Sequence, residues 1–81
     1  MITVEELKRD TKIGDKYQVF YHGVTPTKDS TGNFIIHEIT RFNDKSVWFG
    51  RTRESWNTVK DYINKNVYRK VSFLSNLDLR Q

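Results

Sequence analysis

The apolar residues of this chain are mostly β-branched or aromatic, and none is alanine. Ile, Val, Phe, Tyr and Trp fit a pleated, half-buried surface better than a long helix. They come in short runs, YQVFY, NFIIHEITRF and SVWF, separated by turn-forming residues. A β-rich fold is therefore expected. With 81 residues there is room for one domain and one core. A chain of this size buries only about 60% of its unfolded surface, or a little more. Cysteine is absent, so neither a disulfide nor a thiolate metal site assists that core.

The run Tyr17, Val19, Tyr21 alternates with Gln18, Phe20, His22, which predicts a strand at period two. A turn at Ile13-Gly14-Asp15-Lys16 leads into it. A second strand is expected over NFIIHEITRF. Ile36 and Ile39 lie three apart, so a β-bulge near His37–Glu38 is needed to place both on one face. Asn43-Asp44-Lys45-Ser46 is the next turn, and Ser46–Phe49 a third strand. Val47 and Phe49 share one face there and Trp48 takes the other, toward solvent or a covering helix. The segment VYRKVSFLS is expected to be the last strand, with Val71 and Phe73 as core candidates.

Two helices are expected. Thr3 and Glu6 form a capping box, with Ile2 and Leu7 at the staple positions, which predicts a short N-terminal helix within 1–12. Glu5 and Glu6 in its first turn and Lys8 and Arg9 in its last suit the helix dipole. The stripe Trp56, Val59, Tyr62, Ile63 predicts a second helix, 53–65, capped by Thr52 or Ser55 and ended by Asn66 in a left-handed conformation. Trp56 then belongs to the core.

The resulting class is α+β. A small, strongly curved antiparallel sheet carries a short N-terminal helix and one helix before the last strand, in a single domain 1–81. The core would span 13–74, with a tail at 75–81. IGDKY before a strand and the hairpin ITRFNDKSVWF resemble the pattern of SH3-like, partly open barrels over about residues 13–74. That resemblance implies an architecture and no function. Between the first two strands, Gly23 to Asn33 is long for a hairpin and reads as a surface loop, mobile at its tip.

The formal net charge is +4. Residues 41–70 hold eight Lys/Arg against three acids, while residues 1–40 hold five against six. The basic excess thus sits in the later half, which points to an anionic partner. The basic and aromatic residues of that half are the candidate contacts: Arg41, Lys45, Trp48, Arg51, Arg53, Lys60, Arg69 and Lys70. Basic groups find phosphates and aromatic faces stack on unpaired bases. Arg51 and Arg53 are expected at a strand-to-helix junction, aided by the helix dipole.

Enzymatic motifs are missing: no G-x-S-x-G, no P-loop, no G-x-G-x-x-G. His22 and His37 are the only histidines, and as cross-strand neighbours they would be the one candidate base pair or loose metal site, with Glu38 or Asp29. The expectation is a non-enzymatic binding module without cofactor or metal, cytoplasmic and not membrane-bound. Its partner would be a nucleic acid, DNA or RNA, through phosphate and aromatic contacts. The competing reading is a protein-binding inhibitor or adaptor that meets an acidic protein surface. The Lys-, Asn- and Ile-rich composition would suit a virus- or mobile-element-encoded accessory protein. An exposed sheet edge also offers a homodimer contact.

Overall fold

The computed structural model describes residues 1–71. In chain order these form α1 (Val4–Asp10), β1 (Lys16–Val19), β2 (Ile36–Phe42), β3 (Ser46–Phe49), β4 (Thr52–Ser55), α2 (Trp56–Asn64) and β5 (Tyr68–Val71). The five strands make one antiparallel sheet in the order β4-β3-β2-β1-β5. It curls strongly into a half-barrel, as the SH3-like pattern implied, and among the described residues its two edges, β4 and β5, are not paired to each other. Phe73 and the tail 75–81 lie outside the described residues. Among the described residues no helix is long and apolar enough to cross a membrane.

The core occupies the concave side. Tyr17, Val19, Ile39, Val47, Phe49 and Tyr68 meet Leu7 of α1 and Trp56 and Val59 of α2 there. Both helices form for the reasons the sequence contains. The Thr3 hydroxyl accepts from the Glu6 amide at 3.1 Å, and the Glu6 carboxylate accepts from the Thr3 amide at 3.0 Å. In α2 the Ser55 hydroxyl accepts from the Thr58 amide, and Asn66 follows the helix with φ +61°. The Trp56 indole N–H donates to the Asn43 carbonyl at 2.7 Å, which satisfies the one polar atom of an otherwise apolar anchor.

Several expectations are corrected. The second helix begins at Trp56 and not at residue 53, because Thr52–Ser55 pairs with β3 as a fifth strand. A two-residue turn, Gly50-Arg51, makes this possible, with Gly50 at φ +63° in the first central position of a tight hairpin. The bulge lies between Ile39 and Arg41, so Ile36 is exposed and His37 turns inward instead. β1 ends at Val19, after which Phe20 is buried and Tyr21 exposed, the reverse of strict alternation. On β5, Tyr68 and not Val71 enters the core.

The β1–β2 connection, expected as a plain surface loop, is bonded to the strands that flank it and contains a bridge of its own. The Thr27 amide donates to the Val19 carbonyl, the Thr27 carbonyl accepts from the Ile35 amide, and the Thr27 hydroxyl accepts from the Tyr21 amide. Lys28 and Phe34 form an isolated antiparallel bridge. At the tip, one Asp29 carboxylate oxygen accepts from the amides of Thr31 and Asn33 and from the Thr31 hydroxyl. These bonds favour the charged form and hold the Asp29 pKa below its ordinary value.

Candidate functional site: the outer face of the sheet

Alternation along the strands leaves a second, convex face on which neither helix packs. Trp48 lies on it because Val47 and Phe49 are buried on the other side. The strand register then brings Arg41 of β2 and Arg53 of β4 opposite Trp48, one on each side. The three residues form a row across the sheet. The Arg41 guanidinium lies 4.2 Å from the centroid of the Trp48 ring, a stacked cation–π contact. A guanidinium so placed keeps its planar fork of N–H donors, and among the described residues Arg41 makes no salt bridge with them.

The bulge is what aims Arg41. Ile39 faces Phe49, so an unbroken ladder would set Thr40 opposite Trp48 and Arg41 opposite buried Val47. The extra residue moves Arg41 onto the outer face and Phe42 inward, where its ring meets Trp56 at 5.8 Å. The Thr40 hydroxyl closes the irregularity by donating to the Gly50 carbonyl at 2.9 Å. One local device therefore places a cation outside and an aromatic ring inside.

Lys45, in the β2–β3 turn, and Arg51, in the β3–β4 turn, flank the row from the two ends of β3. Among the described residues, Arg41, Lys45, Arg51 and Arg53 make no salt bridge. Arg51 and Arg53 are not at a helix junction, as expected from the sequence, but in a hairpin and on an edge strand; the α2 N-terminus begins beyond them, at Ser55.

The remaining three predicted residues lie outside this row. Lys60 is on α2, 3.1 Å from Asp61. Lys70 is opposite Tyr17, on the concave side, and pairs with Asp15 at 3.4 Å. Arg69 is used by the fold: its guanidinium lies 3.8 Å from the Phe20 ring centroid and donates to the carbonyls of Gly23 and Asn66. It ties the β1–β2 loop to the α2–β5 turn.

His22 and His37 are not brought together. His22 lines a depression on the loop side with Phe34 and Pro26, while His37 packs between Phe49 and Tyr68, each ring 5.5 Å away. Burial lowers the His37 pKa from 6.5, against a smaller opposing pull from the Glu54 carboxylate. Burial also pushes Tyr68 far up and raises Tyr17 to about 12. These groups form an aromatic wall with suppressed ionisation. Among the described residues no three of His, Asp and Glu gather to hold a metal ion.

Two features escaped the sequence reading. One is β4, although Gly50-Arg51 between Phe49 and Thr52 is a Gly-X hairpin signal. The other is Phe34 with Lys28, whose ammonium lies 5.2 Å from the ring centroid. Their pairing depends on the small hairpin inside the loop, for which no strong local signal exists. No family model, curated protein or solved structure matches the chain.

Proposed function

We propose that the protein is a small, non-enzymatic binding module whose outer sheet face holds the phosphate backbone of a nucleic acid. The observation that carries this is the row Arg41–Trp48–Arg53 on the uncovered face, with Lys45 and Arg51 at its flanks and no carboxylate paired with any of these cations among the described residues. Folding alone gives no reason to line up two unpaired arginines beside an indole. Phosphate recognition does, because each arginine displaces condensed counterions and Trp48 keeps Arg41 in place.

The test is the salt dependence of binding. The logarithm of affinity should fall with the logarithm of salt, with a slope of about −0.9 per phosphate neutralised on duplex DNA and about −0.7 on single strands. Arg41→Ala with Arg53→Ala should make that slope shallower by about 1.4 on a single strand, by the same rule. Lys60→Ala should leave it unchanged. Binding that is absent at low salt, with the protein folded, would overturn the proposal.

A second reading has one observation of its own. Among the described residues the half-barrel leaves β4 and β5 as unpaired edges, and an edge can accept a strand from another chain. Docking on an acidic protein surface, or homodimerisation through β4, would use it. Sedimentation of the protein alone tests the dimer, and the Arg41/Arg53 variant should leave such an edge contact intact.

A further inference from the structure

We propose that the ligand of the outer face is a single-stranded nucleic acid laid along β2, with one base stacked on Phe34. This rests on the phosphate-binding reading above and adds the strandedness and a second contact point. The alternation of exposure along this stretch is regular: Phe34, Ile36 and Glu38 are exposed, while Ile35, His37 and Ile39 turn inward. After the bulge, Arg41 continues the outer series. Phe34 thus shares a face and a chain direction with the Arg41–Trp48–Arg53 row. At ~3.3 Å per residue the two points are roughly 20 Å apart. Such a span suits the short sites, roughly four nucleotides upward, that small barrels offer to single strands.

The Phe34 position is built to hold something flat. Phe34 is 50% exposed and Ile36 44%, so two large apolar side chains open to solvent share this face. Phe34 lines a shallow open depression of about 520 Å³ together with His22, Thr25, Pro26, Thr27 and Lys28. Lys28 stands against the ring and supplies a cation where a phosphate would pass. The loop is tied down without a ligand, by Thr27 to Val19 of β1 and to Ile35 just before β2, by the Asp29 turn and by Arg69 on the Gly23 carbonyl. A pre-ordered site loses little entropy on binding.

A duplex gains nothing from this second point. Its bases are stacked on one another, and it offers only phosphates to a rigid face. An unpaired base has two free π-faces, and stacking on an aromatic side chain is insensitive to sequence. Exposed Glu38 lies midway, with Lys16 opposite it on β1. The backbone is therefore gripped at the two ends of the path and not at its centre.

The experiment is fluorescence anisotropy with four probes of equal length, about twelve nucleotides: oligothymidylate, oligouridylate, an abasic strand, and a duplex. The oligothymidylate or the oligouridylate should bind about five- to a hundred-fold more tightly than the abasic strand, which carries the same phosphates. Those two differ in the sugar and in the base methyl group, so a preference between them leaves the claim standing either way. Phe34→Ala should bring the base-bearing strand down to the abasic level without changing the salt slope, whereas Arg41→Ala should change the slope for every probe. The abasic comparison needs no variant, so misfolding cannot obscure it. Equal binding of abasic and base-bearing strands, or a duplex bound more tightly than both, overturns this inference while the phosphate reading stands. No binding to any probe at low salt overturns both.

Discussion

Trp48 and Trp56 lie within nine residues of each other and end on opposite faces of one thin sheet. Trp56 is 4% exposed, has its indole N–H bonded to the Asn43 carbonyl, and meets Phe42 edge to face. Trp48 remains partly open to solvent, flanked by two arginines and stacked with one of them. The same side chain is thus a structural anchor on the concave side and a platform for a cation on the convex side. What decides between these roles is the neighbour that the register supplies. The inner face receives a helix, and the outer face receives charges.

Truncating each tryptophan is the strongest way to break that contrast. Trp56→Ala should cost about 3–5 kcal/mol in urea unfolding, the range for large buried aromatics. For a domain of this size, with total stability on the order of 5–10 kcal/mol, that removes a large share. Trp48→Ala should cost about 1 kcal/mol or less, since it gives up mainly a surface cation–π contact. Comparable losses at the two positions would mean that the outer face is also a packed interior.

The difference between the two faces was only partly legible in the sequence. Period-two alternation put Val47 and Phe49 on the side opposite Trp48, and helical spacing put Trp56 in the core, because both signals are local. The arrangement of Arg41 and Arg53 around Trp48 was not legible. It depends on a bulge between Ile39 and Arg41 that appears only in the pairing of β2 with β3, and the spacing of Ile36 and Ile39 pointed to a different position for it. It depends also on β4, whose residues TRES carry no apolar alternation of their own and become a strand through the Gly50-Arg51 turn. Arg69 shows the opposite error. By composition it belongs to the basic patch, yet a loop carbonyl and the Phe20 ring take up its guanidinium.

Ser55 marks where one face passes to the other, as the last residue of β4 and the N-cap of α2. Ser55→Ala should cost about 1 kcal/mol, and Ser55→Asp should restore most of it. Thermal midpoints of the two variants check this. A neutral Ser55→Ala would mean that the helix is held by Trp56 and Val59 alone and that the cap contributes nothing. Smaller again is the coupling across the outer row. A double-mutant cycle on Arg41 and Trp48 should give about 0.5–1 kcal/mol of interaction, the value for an exposed cation–π pair. Zero coupling would detach Trp48 from the task of holding Arg41, and with it the physical argument for the phosphate site.

The smallest effect, and the one specific to the inner face, is a dependence of stability on pH through His37. Burial between Phe49 and Tyr68 lowers its pKa from 6.5, with only a partial counterpull from Glu54. The unfolded chain then binds more protons than the folded one as pH falls through that range. The stability held by neutral His37 is complete above the unfolded pKa and is lost as pH drops below it, toward the folded pKa. Urea midpoints should therefore decline between about pH 7.5 and 5.5. The depressed carboxylates Glu6, Asp10 and Asp29 act in a separate, more acidic window, because their unfolded pKa values lie near 4. His37→Phe should flatten the decline in the histidine window and leave the acid one in place, since an uncharged ring keeps the aromatic packing and cannot take a proton. A decline that persisted unchanged in His37→Phe would mean that the titration does not belong to the concave wall.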